Sequence, residues 1–356
     1  MTNNTSASAS SADTALRLPA EWEPQGAVLL AWPHRLTDWQ YMLAEAQDCF
    51  ARVIEAIAEF APVILVGPDV ADARRRLHRL ASEGRIAFVN IPTNDTWARD
   101  FGPITAIDAD GSAVICDFTF NGWGRKFEAA LDNDITAALI AAGIITGRHR
   151  RIDDFVLEGG SIESDGRGTL LTTARCLLST NRNEPMTRDD IDSRLARELG
   201  FTRSLWLSAG ELLGDDTDAH IDTLARFAPD DTIVYVGCDR PDDPHYAPLQ
   251  LMKRDLQAFT TATGRPYRLI ELPLPMPVLD PDDGHRLPAT YANFLIINGA
   301  VIMPTYGQPD LDALAARRLA VAFPGYAIRC VDCRALVRQH GSLHCITMQI
   351  PKNILP

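Results

Sequence analysis

The sequence predicts an α/β protein built from a recurring ββαβ-type unit, and three observations lead there. Segments with helical spacing of apolar residues alternate with short β-rich runs. The helix centres near residues 134, 193, 255 and 316 recur at intervals of about 60 residues. Each of those intervals contains a hairpin signal. One such unit cannot bury its own apolar face, so the recurrence implies neighbouring units that complete a shared core. A mixed α/β domain without symmetry stays open beside it. No Pro-rich or Ser-rich linker interrupts Leu18 to Pro351, which favours one compact unit.

In chain order, the apolar spacing predicts helices over Met42–Phe60, Val70–Ser82, Phe127–Ala142, Arg188–Leu199, Leu249–Thr261 and Leu311–Ala322. The second of these lengthens the first interval, from the helix centre near residue 51 to that near 134. Thr187 can cap its helix with Asp190 in the first turn, and Gly200 can end it. Gly264 is expected to stop the helix before it. The β-rich runs are Pro62–Val66, Ile86–Ile91, Ala113–Phe120, Leu170–Thr173, Ser204–Leu207, Ile233–Val236, Tyr267–Leu272 and Val301–Pro304. Hairpin turns are expected at Asp165-Gly166, at Pro229-Asp230-Asp231 and at Asn298-Gly299, the last being the strongest two-residue signal.

Composition excludes several classes of function. Thirty-four Lys plus Arg against 47 Asp plus Glu gives a net charge of −13. A field of that sign repels nucleic acid and anionic membrane, so neither is expected as a partner, and it suits a cationic ligand. The longest apolar runs, near Ile135–Ile145 and Phe294–Met303, fall far short of a membrane span. Seven cysteines over a long chain point to reduced thiols in a cytoplasm rather than a disulfide framework. Met1 to Thr14 has no basic start and no apolar core, so it is not read as a signal peptide. Residues 1–16 are expected as a disordered tail and 17–356 as a single catalytic unit. A homo-oligomer stays open.

There is no G-x-x-x-x-G-K-S/T loop, no G-x-G-x-x-G after a strand, no H-E-x-x-H and no G-x-S-x-G. Nucleotide cofactors, zinc-protease chemistry and serine hydrolysis lose weight, and no cofactor is expected. Four polar segments stand out instead. Thr93–Pro103 follows a β-run and carries Trp97, Arg99 and Asp100; an Arg99–Asp100 ion pair bracing a turn is the plainer account of it. Leu157-Glu158-Gly159-Gly160-Ser161 sets a carboxylate before two glycines, which allow close backbone approach. Gly214–Asp222 holds Asp215, Asp216, Asp218, His220 and Asp222. On a strand, His220 and Asp222 would share a face, and a histidine beside a carboxylate suits general acid/base work. Those acids lack the spacing of a calcium loop, and no metal is expected. Gln339–Gln349 places Cys345 at the start of a β-like run. Cys330 and Cys333 form a single C-x-x-C and are read as core thiols.

Together these residues suit attack by a thiol on a carbon that bears positive charge. A neutral amide would call for donors to an oxyanion, not a ring of carboxylates. A guanidinium is a planar cation that carboxylates grip through paired hydrogen bonds. The argument favours a guanidinium without demanding one.

The runs T-W-A-R-D-F-G-P at 96–103, L-E-G-G-S-I at 157–162, D-D-T-D-A-H-I-D at 215–222 and L-H-C-I-T at 343–347 resemble the agmatine deiminase and bacterial-type peptidylarginine deiminase family. L-P-A-E-W-E-P at 18–24 and N-F-L-I-I-N-G-A-V at 293–301 resemble it too. The likeness covers nearly all of Leu18 to Pro351. It implies the pentein fold, a five-bladed pseudo-symmetric α/β propeller. It also implies Cys345 as nucleophile, Asp100 and Asp222 as guanidinium holders, His220 as general acid/base, Glu158 as the carboxylate orienting it, and Trp97 as a pocket wall. The partner implied is a small cationic guanidino substrate, agmatine above all, whose amine could meet Asp215, Asp216 or Asp218.

Two positions depart from the agmatine deiminase pattern. A G-G-G-N-I-H run is usual before the nucleophile, where this chain has Gln339–His344, and glycine is usual where Ala219 stands. Both bear on which substrate tail fits. Rival readings are an amidinotransferase or another guanidine hydrolase on this fold, a non-catalytic propeller that binds arginine-like ligands, and a metal-dependent hydrolase using the acids of 215–222.

Overall fold

Sixteen strands among residues 15–356, which this computed structural model describes, form five separate small sheets. The first joins β1 (Gln25–Ala31), β2 (Val63–Gly67) and β3 (Ile86–Asn90) in parallel. In the second, β4 (Ile104–Ile107) and β5 (Ala113–Thr119) form a hairpin, and β6 (Arg148–Val156) lies parallel to β5. The third repeats that plan with β7 (Ile162–Ser164), β8 (Thr169–Thr173) and β9 (Arg203–Leu207). The fourth does so with β10 (Ala225–Ala228), β11 (Thr232–Gly237) and β12 (Arg268–Pro273). The fifth uses β13 (Leu295–Ile297), β14 (Ala300–Thr305) and β15 (Ala327–Asp332). Finally β16 (Met348–Pro351) pairs antiparallel with β1 and completes the first sheet.

Sheets two to five are each a hairpin, a helical crossover and a parallel third strand, and in the first sheet antiparallel β16 takes the place of the hairpin's first strand. The chain's two ends share one sheet, so a five-bladed propeller closes on itself. The longer first interval in the sequence is explained by β3, a fourth strand reached through an extra helical crossover. The middle strand of each blade is apolar because both its faces are covered; β2, β8 and β11 are buried throughout. The third strands lie at outer edges and carry charge. Arg148–Val156 and Ala327–Asp332 expose arginines and aspartates, which hid them from a search for apolar alternation.

Several expectations shift at their boundaries. The helix over Arg188–Leu199 has the expected limits, with a capping box between Thr187 and Asp190 and a left-handed Gly200 (φ 77°) at its end. The helix expected over Val70–Ser82 is two, Ala71–Arg76 and His78–Ser82, broken at Leu77. That over Phe127–Ala142 is also two, Ala130–Asn133 and Ile135–Ala141. Gly264 does not stop a helix. The helix Tyr246–Ala258 ends earlier, and Gly264 serves the turn between Thr261 and Arg265. Cys330 is exposed on edge strand β15, so only Cys333 of that pair is a core thiol. The tail expected over residues 1–16 lies, up to Thr14, outside the described residues; Leu16 packs against the core. No helix of the described residues is long and apolar enough to cross a membrane.

The first strand of each hairpin, β4, β7, β10 and β13, and β16 in the first sheet, forms one edge of its sheet, and these short edges are largely buried. They turn inward to the axis of the propeller. The ring depends on β16, whose Ile350 is fully buried. Ile350→Ala should lower unfolding free energy by about 2–5 kcal/mol in a urea titration, with the residual native fold unchanged by circular dichroism.

Candidate active site

Five loops that lead into those five inner strands carry the chemistry. Asp100 sits four residues before β4, Glu158 four before β7, His220 and Asp222 before β10, Asn293 before β13 and Cys345 before β16. Pseudo-symmetry therefore delivers one segment from each blade to one end of the axis. The helical turn Ala98–Phe101 packs on the turn Gly159–Ser161, which packs on the turn Ile221–Thr223. His220 and Asp222 do not lie on a strand as expected. They flank the start of a 3₁₀ turn, and it is this turn that aims both inward.

Cys345, Asp100, Asp222, His220 and Glu158 are all at most 5% exposed. Cys345 Sγ lies 3.8 Å from Asp222 Oδ2, and the Asn293 amide donates to it at 3.2 Å. Asp100 Oδ1 accepts from the Gly160 N–H and Oδ2 from the Trp123 indole, each at 2.9 Å. His220 Nδ1 is 3.6 Å from Asp100 Oδ1, and its Nε2 is 3.8 Å from Glu158 Oε2. Neither ring nitrogen has a hydrogen-bond partner, and neither does Asp222 Oδ1. Gly160 shows where these groups point. A Cβ there would come within 2.7 Å of His220 Nδ1, 2.8 Å of Asp100 Oδ1 and 3.1 Å of Asp222 Oδ2. Glycine leaves that space open to something else that can answer two carboxylates and an imidazole edge.

The electrostatics follow from burial and charge. Burial, then the charges of Asp222 and Asp100, push the Cys345 thiol well above its ordinary pKa. Burial opposes a charge on His220, but Asp100 first among its neighbours holds the imidazole well above its usual value. Burial raises Asp100. Burial would raise Asp222 as well, yet its hydrogen bond from His344 Nδ1 at 2.7 Å, together with the nearby positive groups His220 and Arg226, keeps Asp222 low. His344 Nε2 in turn meets Glu21 at 2.8 Å, and Arg226 joins Glu21 to Glu163 behind it. The empty site is therefore thiol, imidazolium and carboxylates, with negative charge facing the cavity.

That cavity has a volume of about 140 Å³, and Cys345, Asp100, Trp97, Trp123 and Phe127 line it. Trp97 packs over Gly341 beside it. Asp38, Asp95 and Asp216 border the cavity too, and no lysine or arginine does among the described residues. Burial, with Asp38 nearby, pushes Asp95 up to about 7. Of the three acids expected at a substrate tail, Asp216 lines the cavity. Asp215 closes its own loop on Thr217 and Ala219, and Asp218 is held by Lys126 and Arg182. Ala219 adopts φ 65°, a left-handed angle that suits glycine; its N–H is held by Asp215 and its carbonyl by the Thr173 hydroxyl. Arg99 does not pair with Asp100. It reaches away to Gln349 at 2.6 Å.

Sequence reasoning missed the supports. Arg182 Nε donates to both oxygens of Glu158, at 2.9 and 3.0 Å, so Glu158 meets His220 as a charge neighbour rather than a hydrogen-bond partner. Trp123, Asn293 and His344 were not singled out. Asn293 and His344 stood inside quoted runs, and asking which residue of the fifth unit precedes its hairpin would have found Asn293. Trp123 left no such signal: it sits in a loop where Gly122 to Arg125 all have positive φ. Two buried clusters bring three metal-ligating side chains together, Glu158–Cys176–His220 and Glu21–Glu163–His344. In each an arginine, Arg182 or Arg226, already occupies the place of a cation among the carboxylates.

Residues 17–351 match the family model described as Porphyromonas-type peptidyl-arginine deiminase. The chain is 37% identical to the agmatine deiminase of Stutzerimonas stutzeri, over 94% of this chain and 95% of that protein. It shares 47% identity and a TM-score of 0.89 with a structure from Porphyromonas gingivalis provisionally named an arginine deiminase, covering 96% of this chain and 100% of that one. A C. jejuni agmatine deiminase, solved as a cysteine-to-serine variant with substrate bound, matches at 38% identity and a TM-score of 0.86, over 94% and 96% of the two chains.

The Arg182–Glu158 pair is fully buried on both sides. Arg182→Leu strands the Glu158 charge and should cost about 3–5 kcal/mol of stability by urea unfolding. Lys126→Ala, at an exposed partner of Asp218, should cost less than about 1 kcal/mol in the same measurement.

Proposed function

The chain belongs to the Porphyromonas-type peptidyl-arginine deiminase family, and on that premise we propose that it hydrolyses agmatine to N-carbamoylputrescine and ammonia through a covalent amidino-thioether on Cys345. One observation carries the reading. Asp100, Asp222 and His220 Nδ1 converge on the space that Gly160 leaves open, with Cys345 Sγ beside Asp222. A guanidinium seated there meets a carboxylate on either side and presents its central carbon to sulfur.

The steps follow from the charges. Burial, then the two carboxylates, keep the proton on Cys345 until substrate binds. A bound guanidinium offsets both carboxylates, so Cys345 releases its proton to solvent and the thiolate becomes accessible when there is something for it to attack. Sulfur bonds to the central carbon. The His220 imidazolium passes its Nδ1 proton to one amino group, and that C–N bond breaks to release ammonia. His220 then holds a free lone pair at Nδ1, while the Nε2–H stays toward Glu158. Water attacks the amidino carbon and gives one proton to Nδ1; as the C–S bond breaks the remaining hydroxyl proton passes to the departing sulfur, and the ureido product leaves with the Cys345 thiol and the His220 imidazolium restored.

The tail of the substrate is argued from the cavity walls. Asp38, Asp95 and Asp216 suit the terminal ammonium of agmatine, and the α-carboxylate of free arginine would meet like charge. The relatives named agmatine deiminases, and the substrate-bound cysteine-to-serine variant of one of them, support the same choice.

An ammonia-release assay over agmatine, free arginine and a blocked arginine peptide, with no amine acceptor added, tests the substrate. Agmatine should be turned over at least tenfold more efficiently than the other two. Turnover confined to the peptide would move the substrate class, and ammonia release dependent on an added amine would replace hydrolysis by transfer. Cys345→Ser should abolish turnover with the fold intact. Gly160→Ala should lower kcat/KM by more than about a hundredfold, because its methyl occupies the guanidinium space.

Asp95 gives a pH dependence. Its pKa of about 7 lies above the carboxylate norm, so it is protonated below that pH. An ammonium pairs with the ionised form alone. The KM for agmatine should therefore fall as pH rises through about 7, while a butylguanidine lacking the amine shows no such step. The same step with both compounds would remove Asp95 from tail binding.

A further inference from the structure

We propose that Cys176, which the reaction above does not use, is a positioning residue for His220: with Glu158 it holds the Nε2 edge of the ring so that Nδ1 stays on the substrate. As a statement about turnover this rests on the deiminase reading.

Cys176 is the third residue of the four-residue helical turn Ala174–Leu177 after β8 and is fully buried. Its sulfur, a Glu158 carboxylate oxygen and a His220 ring nitrogen all lie within 4.8 Å of one another. The nitrogen toward Glu158 is Nε2. A single hydroxyl ties the two segments together. Thr173 Oγ1 accepts from the Cys176 N–H at 3.2 Å and donates at 2.7 Å to the carbonyl of Ala219, the residue just before His220. A few residues on, Arg182 grips Glu158. One stretch, 173–182, thus supplies both Cys176 and the arginine that fixes Glu158 behind the imidazole. The buried thiols of Cys49, Cys116 and Cys238 each donate to a backbone carbonyl, whereas Cys176 is turned to a ring and a carboxylate.

The residue type matters. A thiol is a weak hydrogen-bond partner of substantial volume. It fills the space behind the ring and so resists rotation. It also leaves Asp100, Glu158 and Asp222 as the charged groups facing His220, with Arg182 behind Glu158. A further carboxylate would hold the imidazolium too firmly for an acid that must give up its proton and recover it. A methyl would leave room for the ring to turn away.

The test compares Cys176→Ala and Cys176→Ser. In C176A, kcat for agmatine should fall about tenfold with KM within twofold of wild type, and the alkaline limb of the rate should move to lower pH. C176S, which restores a partner of similar shape, should recover to within about threefold of wild type. Wild-type kcat and pH profile in C176A overturn the proposal. So do equal losses in both variants that track a common fall in Tm, because they mark a packing role. If wild-type protein turns over no guanidine, the deiminase reading fails by itself. The positioning is then read from the ¹⁵N imidazole resonances of His220, whose titration should differ between wild type and C176A; identical titrations overturn it.

Discussion

Two buried carboxylates that, among the described residues, meet only the His220 imidazolium on the cavity side are the constraint around which this molecule is organised. Asp222 is fully buried and Asp100 nearly so, and one oxygen of Asp222 has no partner. A charge in that position is costly unless donors behind it hold it in place. The Gly160 N–H and Trp123 indole do so for Asp100, and His344 does so for Asp222. Behind His344 stand Glu21, Arg226 and Glu163, all buried. On the proposed reading, the outward-facing charge that remains selects a cation, burial and that charge keep the thiol protonated until one arrives, and the imidazole stays charged as an acid. Selectivity and the timing of nucleophile activation have one electrostatic cause.

The propeller explains how residues spread over two hundred and more positions reach one point. Each blade begins with a short, buried inner strand, and the loop entering that strand ends on the axis. The five loops differ in what they bring with the same placement: two offer the carboxylates that face the cavity, one the carboxylate behind the imidazole, one the amide of Asn293, one the thiol. Turns off the regular elements do the aiming. The 3₁₀ turn at Ile221–Thr223 and the left-handed Ala219 set His220 and Asp222, and the run of positive φ from Gly122 to Arg125 sets Trp123. Backbone in these conformations persists because side chains such as Asp215, Thr173 and Asn121 hold it.

Much of this was legible in the residues. Apolar periodicity and turn chemistry are local, so the Arg188–Leu199 helix with its Thr187 cap and the Asn298-Gly299 hairpin could be read directly, and the spacing of helices disclosed the repeat. Outer-edge strands such as Arg148–Val156 were not legible, because half-solvated strands tolerate charge and lose the apolar alternation. Breaks at Leu77 and Asp134 escaped for a similar reason: a helix interrupted by one residue keeps its apolar spacing. The resemblance of four short runs supplied Cys345, His220, Asp100, Asp222, Glu158 and Trp97 together.

What the sequence by itself determined, then, was the set of local elements, their recurrence, and the residue types able to attack a cationic carbon. Only the tertiary structure decided which of those residues meet and in what charge state. It gave Asp216 to the cavity and Asp218 to Arg182, turned Arg99 away from Asp100, and put Cys176 and Glu158 behind His220. Secondary structure arises from neighbours along the chain, whereas burial and pairing arise from neighbours in space. A carboxylate's role is set by the second.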